Sequence, residues 1–108
     1  MPDIYQKAAE KIEDIIKEMR AEGMWQSEPL PEDAYDFSAA FGADKLAFEQ
    51  WIQFILVPRV DEIIKEKGTF PSGSMVGTYA IREFDGLEKA SYLITLLCEF
   101  DALFGPAE

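Results

Sequence analysis

Apolar residues recur at helical spacing in three stretches of the chain. The first stripe consists of Ile4, Ala8, Ile12, Ile15, Ile16 and Met19. A period of three and four residues is typical of one face of an amphipathic helix, so we predict a helix over about residues 3–22. Asp3 is its predicted N-cap. Gly23 suits the left-handed position that follows a helix, and Met24 would then fold back on the last turn.

The densest apolar run, Phe48–Arg59, lies near the middle of the chain. A helix carrying it would be apolar over more than half of its circumference, which is typical of a central helix packed on several sides. We predict this second helix from an N-cap at Asp44 to about Lys67, with Gly68 ending it.

Pro58 falls inside this second helix. Its ring displaces the carbonyl of Phe54 and its nitrogen donates no hydrogen bond, so the pattern predicts a kink. A buried strand over residues 54–57 is the competing interpretation. It is disfavoured because the sequence offers no second strand to pair with it.

Helical periodicity is lost between residues 24 and 43. Pro31 suits the first position of a short helix that would run to about Phe37. The segment also carries aromatic residues at Trp25, Tyr35, Phe37 and Phe41, which indicates that it lies on the core. Its acidic residues, Glu28, Glu32, Asp33 and Asp36, have no basic neighbour.

The third stripe occupies the C-terminal quarter of the chain. After a Gly- and Ser-rich loop over residues 68–77, Thr78 is the predicted cap of a short helix ending near Phe84. Asp85 and Glu88 form a capping-box pattern, which predicts that the last helix begins there and runs to Gly105.

These elements together predict an all-α fold. We expect a compact helical bundle of three main helices plus one or two short ones, with the central helix kinked at Pro58. At 108 residues, without an internal repeat or a linker-like segment, the chain is expected to form a single domain, residues 1–108.

The charge balance narrows the classes of partner. Ten Lys and Arg stand against 21 Asp and Glu, which gives a net charge of −11. Such a chain repels phosphate backbones and anionic lipids, so direct binding to nucleic acid or to a membrane surface is disfavoured. The same charge favours either solubility alone or a basic protein partner.

Catalytic and metal-binding candidates are scarce. The chain has no histidine, which removes the usual general base at neutral pH and the commonest metal ligand. Its one cysteine, Cys98, is interpreted as a buried and unreactive thiol. The pattern indicates no catalytic residue, no metal site and no cofactor. The chain carries neither a secretory signal pattern nor a membrane-spanning run, so we expect a cytoplasmic protein.

Asp101 is the most conspicuous carboxylate because it falls on the apolar stripe of the last helix. It is expected either at the edge of the stripe or buried with a partner, and Arg59, just after the proline, is the predicted partner. Loss of a buried Arg59–Asp101 bridge through Asp101→Ala would cost about 3–5 kcal/mol.

Three residues of the central run are further candidates for structural or partner-binding roles. Trp51 is interpreted as a core residue because it lies within an apolar helix. Gln50 and Gln53 have the chemistry to bind an extended peptide backbone in a groove. A simple polar helix face is the favoured interpretation of both.

The string Gln50-Trp51-x-Gln53-Phe54-x-x-x-Pro58-Arg59 carries a family resemblance. Together with Phe41-x-x-Asp44 before it and Asp101-x-Leu103 near the end, it resembles the YqcC-like family of small bacterial proteins of uncharacterised function. Gly23-x-Trp25 also fits, so the resemblance covers nearly the whole chain. It implies a helical bundle and no activity. In some bacteria the gene of this family lies beside that of a tRNA pseudouridine synthase, which suggests an accessory role.

Two functional hypotheses follow. The first is a non-catalytic interaction module that docks on a basic protein such as an RNA-modifying enzyme. The second is a helical bundle that binds a small molecule, or an enzyme, with a pocket around Trp51. Whether the chain is an enzyme stays open at this point, and the absence of groups suited to chemistry near neutral pH favours the first hypothesis.

Overall fold

The computed structural model describes residues 3–70 and 73–105, and every regular element within these two ranges is helical. Five α-helical segments follow one another: α1 (Ile4–Ala21), α2 (Phe48–Trp51), α3 (Val57–Glu66), α4 (Val76–Glu83) and α5 (Ser91–Ala102). A π-helical turn, Ile52–Leu56, joins α2 to α3. Short 3₁₀ turns lie at Glu32–Tyr35, Ala40–Gly42 and Glu88–Ala90. The prediction of an all-α fold is confirmed.

Both ends of α1 form as the sequence predicts. The side chain of Asp3 accepts a hydrogen bond of 2.8 Å from the N–H of Gln6. After α1, Gly23 adopts a left-handed conformation with φ +70°. The N–H of Met24 then donates to the carbonyl of Met19 at 2.7 Å, which completes a Schellman motif. These local contacts fix the direction in which the chain leaves α1.

The predicted start of the second helix is wrong. Asp44 does not cap it; Ala47 occupies the N-cap position of α2, and its N–H donates to the side-chain oxygen of Gln50 at 2.9 Å. The predicted end is close, because α3 stops at Glu66. There it is Lys67, not Gly68, that takes the left-handed conformation.

Pro58 is accommodated by the π-helical turn that precedes it. The N–H of Val57 donates to the carbonyl of Ile52, five residues back, so the turn is wider than an α-helical one. The wide turn shifts the hydrogen-bond register just before Pro58, whose ring and missing N–H would interrupt a regular α-helical ladder. The irregularity predicted at the proline therefore lies just before it, and the chain stays helical throughout 48–66.

Helix α5 lies between α1 and α4 and packs on both, while α1 also packs on α3. An ion pair of 2.7 Å between Lys11 and Glu99 crosses from α1 to α5. The predicted caps of the last two helices are wrong. Helix α4 begins at Val76 with Met75 as its N-cap, so Thr78 lies inside it. Helix α5 begins at Ser91, after a 3₁₀ turn.

The core forms where α1, the segment 48–66 and α5 meet. The largest fully buried side chains come from these three elements: Ile15, Met19, Ile52, Leu93, Leu96 and Leu97. Each buries enough apolar surface to contribute about 1.5–3 kcal/mol. The aromatic residues predicted on the core, among them Trp25 and Phe41, pack against this cluster, whereas Tyr35 is exposed.

The contact between α4 and α5 depends on the absence of a side chain at Gly77. A methyl group there would lie 2.6 Å from Sγ of Cys98 and 2.7 Å from its Cα and backbone nitrogen. We predict that Gly77→Ala lowers the free energy of unfolding by about 2 kcal/mol or more, because α4 has to move away from α5. Urea denaturation followed by circular dichroism measures this loss.

Thr78→Ala is the matched control for Gly77→Ala, since Thr78 is the exposed neighbour on α4. It should change stability by less than about 0.5 kcal/mol. Adding Cys98→Ala to Gly77→Ala should recover little stability, because two of the three close approaches involve backbone atoms. Full recovery in the double variant would show that only the thiol is crowded.

Candidate functional site

Residues 22–47 link α1 to α2, and the part of this link that precedes Lys45, residues 22–44, is here named the acidic connection. Their charged residues are Glu22, Glu28, Glu32, Asp33, Asp36 and Asp44, with no Lys or Arg among them. The carboxylates of Glu28, Glu32, Asp33 and Asp36 lie on exposed residues, and none of them forms an ion pair with another described residue. Tyr35 stands among them with 48% of its surface exposed. The connection therefore presents negative charge beside an exposed aromatic ring.

Asp44 organises the second half of the acidic connection. Its carboxylate accepts hydrogen bonds from the N–H of Ser38 at 3.0 Å and from the N–H of Ala39 at 3.2 Å. The hydroxyl of Ser38 donates to it as well, at 3.2 Å. The backbone hydrogen bond from Ser38 is the main reason that the pKa of Asp44 lies below its ordinary value. Asp44 thus closes a loop, and this is the role that replaces the predicted helix cap.

Gln53 attaches the acidic connection to the core. Its side-chain oxygen accepts from the N–H of Gln26 at 2.9 Å, and its amide nitrogen donates to the carbonyl of Gln26 at 2.7 Å. Only 8% of Gln53 is exposed, so the interpretation as a polar helix face does not hold for it. Its amide does bind a peptide backbone, but one that belongs to its own chain.

Gln50 extends this contact. Its amide nitrogen donates to the side-chain oxygen of Gln26 at 3.1 Å, and its oxygen accepts from Ala47. The amide nitrogen of Gln26 donates in turn to the carbonyl of Glu28 at 2.8 Å. Gln50 and Gln53, the two glutamines considered for structural or partner-binding roles, are therefore joined by Gln26 into one network that positions the connection.

Trp51 lies in the core with 7% of its surface exposed, as the core interpretation predicts. The ring of Phe41 packs against it edge-on at 4.9 Å and stacks on Tyr79 at 4.2 Å. Phe41 has a left-handed backbone with φ 57°, which is rare for a bulky residue and strained. The packing of its ring between Trp51 and Tyr79 holds it in this conformation.

The predicted Arg59–Asp101 bridge is not formed between these two described residues. Arg59 is exposed on α3, and both carboxylate oxygens of Asp101 face the start of α4. The N–H groups of Val76 and Gly77 donate to Asp101 at 3.1 and 2.7 Å, and the hydroxyl of Ser74 donates at 2.5 Å. A helix start offers unpaired N–H groups and a partial positive charge, so it competes successfully for the carboxylate.

An apolar groove of about 280 Å³ lies beside Trp51. Its walls include Phe41, Leu56, Val60 and Phe100, and Arg59 also lines it. This volume is slightly below the roughly 300–1,000 Å³ of typical small-molecule sites. It is the feature on which a ligand-binding role for Trp51 depends.

Reactive groups are few in the part of the chain that the structure describes. Cys98 is exposed, contrary to the prediction of a buried thiol. Desolvation, and then the charges of Asp101 and Glu99, raise its pKa above the ordinary value, which makes it a weak nucleophile. Residues 3–70 and 73–105 contain no group of three or more acidic or cysteine side chains arranged to hold a metal ion. None of the helices in these ranges has the length and apolar character needed to span a membrane.

Sequence reasoning missed Gln26, Ser74 and the strained Phe41. Gln26 and Ser74 each bond to residues at least 24 positions away, so neither leaves a local pattern. A polar residue within the densest apolar run was the available signal for Gln53, since a buried amide requires hydrogen-bond partners.

We predict that Gln53→Leu destabilises the protein by about 1–3 kcal/mol, because the N–H and carbonyl of Gln26 lose their partners. Thermal unfolding measures the loss, and hydrogen exchange should show faster exchange at the amide of Gln26. Gln6→Leu is the control, since Gln6 is exposed on α1. Equal stability of the Gln53 variant and this control would contradict the role assigned to Gln53.

We expect Asp101→Ala to cost about 2–4 kcal/mol, because the cap of α4 and a hydrogen bond to Ser74 are lost. Asp101→Asn should cost less because it keeps one acceptor oxygen. Arg59→Ala should change stability by less than about 0.5 kcal/mol. The ion pair would instead be supported if Arg59→Ala and Asp101→Ala lowered the free energy of unfolding by similar amounts and if these losses were non-additive in the double variant.

Two of the comparisons with known proteins found similar proteins. An uncharacterised protein of Haemophilus influenzae is 24% identical over 95 residues, covering 85% of this chain and 87% of that protein. No solved structure matches. A family model, DUF446, described as tRNA pseudouridine synthase C, matches residues 7–103. The chain therefore belongs to the DUF446 family.

Proposed function

We propose that the chain is a non-catalytic interaction module that docks on a basic protein, namely an RNA-modifying enzyme of the tRNA pseudouridine synthase type, in the cytoplasm. The observation that carries the proposal is the acidic connection, whose exposed carboxylates Glu28, Glu32, Asp33 and Asp36 lie in a stretch without Lys or Arg between Arg20 and Lys45. A surface of one sign attracts an oppositely charged partner and orients its approach.

The family description names a tRNA pseudouridine synthase. The charge of the chain favours a protein that binds such an enzyme over the enzyme itself. A synthase has to hold the phosphate backbone of tRNA, and a chain with a net charge of −11 repels phosphates. The same charge favours contact with the basic surface that an RNA-binding enzyme presents. The resemblance to YqcC-like proteins supports the same accessory role.

The carboxylate and thiol that sequence analysis singled out also favour a non-catalytic role. Asp101 is engaged by the start of α4, and the raised pKa of Cys98 makes the thiolate scarce at neutral pH. Without histidine, neither group has a neighbouring base of the usual kind.

A small-molecule role rests on the groove beside Trp51. The groove combines aromatic walls with the guanidinium of Arg59, which suits an apolar anion. Its small volume and the filling of the space around Trp51 by Phe41 and Phe48 make this the weaker proposal.

We predict that the purified chain binds the tRNA pseudouridine synthase of its own organism, and that affinity falls at least tenfold between about 50 and 300 mM salt. The triple variant Glu32→Lys/Asp33→Lys/Asp36→Lys should weaken binding further, because it reverses the charge of the acidic connection. Isothermal titration calorimetry measures both effects.

The matched control carries the same charge change on α1, as Glu10→Lys/Glu13→Lys/Asp14→Lys, three exposed positions. It should retain most of the affinity. This result would show that binding depends on where the negative charges lie and not on the net charge alone. Absence of binding at low salt, or saturable binding of tRNA by the chain alone, would overturn the proposal.

A further inference from the structure

Three exposed apolar side chains lie close in sequence to the turn between α4 and α5, and two of them, Ile81 and Leu87, line the same hollow. Ile81 is 53% exposed, Leu87 40% and Tyr92 57%, and these are three of the five large apolar residues exposed in the described part of the chain. Single exposed apolar residues need no explanation, but a concentration of them is typical of an interaction surface.

Leu87 separates two neighbouring concavities. A cleft of about 470 Å³ on one side is lined by residues that include Trp25, Gln50 and Lys89. A hollow of about 360 Å³ on the other side is lined by residues that include Ile81 and Ile94. Leu87 lines both, so cleft, leucine and hollow form one continuous surface, here named the Leu87 ridge.

The charges along the Leu87 ridge are mainly negative. Glu49 and Lys89 line the cleft, and Asp85 and Glu88 line the hollow. The guanidinium of Arg20 lies 5.3 Å from the ring of Trp25, which also lines the cleft, so three carboxylates stand against two cations. A second copy of the chain would bring like charges together, since each copy carries −11. Charge complementarity therefore selects a cationic partner.

The polar groups of the cleft favour a helical occupant. The amides of Gln26 and Gln50 already bond to each other, to Ala47 and to Glu28, so they offer little to an unpaired peptide backbone. A helix satisfies its own backbone and needs only apolar and charged contacts from the surface that receives it.

We propose that the Leu87 ridge binds a cationic amphipathic helix of the partner protein. Apolar side chains of that helix enter the cleft and the hollow on either side of Leu87. Its Lys or Arg side chains reach Glu49 on one side and Asp85 and Glu88 on the other. This inference rests on the proposed function and supplies the apolar part of the contact.

The test uses a fluorescein-labelled helical peptide of Leu and Lys, about 18 residues long, with all leucines on one face. Fluorescence anisotropy at about 20 mM salt measures its affinity for the protein. We expect Leu87→Ser and Ile81→Ser each to weaken binding about tenfold, because an apolar contact is lost without any change of charge. Equal affinity of these variants and the unaltered protein would overturn the proposal.

Met75→Ser is the matched control, because Met75 is 58% exposed and lines neither concavity. It should leave the affinity within about twofold, and unchanged melting temperatures confirm that all variants are folded. A peptide of the same composition with leucines and lysines scrambled should bind much more weakly. Equal binding of both peptides would reduce the contact to net charge and overturn the proposal.

The same variants tested against the synthase separate the two proposals. If the synthase binds Leu87→Ser as tightly as it binds the unaltered protein, the binding role of the Leu87 ridge is wrong and the accessory function stands. If the amphipathic peptide discriminates at Leu87 but the synthase does not bind at all, the ridge stands and the identity of the partner is wrong.

Discussion

A buried amide joins the long connection of this protein to its helical core. Gln53 holds the N–H and the carbonyl of Gln26 at once, in a site where water has little access. An unpaired amide or peptide group would lower the stability of the fold there, so the side chain of Gln53 and the backbone of Gln26 each require the other as a partner. Together with the buried side chains of Met24, Leu30 and Ala34, this contact positions the acidic connection and the cleft that its first residues line.

Contacts close in sequence were predictable. The stripe of α1, its Asp3 cap and the turn at Gly23 all depend on residues within six positions, and they form as expected. Asp44 shows the limit of that reasoning. Its spacing suits a helix cap, but its carboxylate accepts from the N–H groups of Ser38 and Ala39 instead. The helix begins four residues later. A one-dimensional pattern does not show which of two N–H groups a carboxylate will reach.

Long-range partners were the least predictable part of the structure. The choice of Arg59 for Asp101 rested on opposite charge, whereas the start of α4 supplies two N–H groups and a hydroxyl in suitable geometry. Pro58 is a milder case: its disruption was foreseen, but the π-helical turn that absorbs it was not. Charge and polarity identified the important residues correctly more often than they identified the groups those residues contact.

The cap of α4 has a consequence for the order in which the chain folds. Helix α4 has only eight residues, too few to persist alone, and its N-terminal groups are satisfied by a carboxylate 25 residues further along. We therefore expect α4 to stay frayed at its start until α5 brings Asp101 into place. The two helices are then expected to form as one cooperative unit and not one after the other.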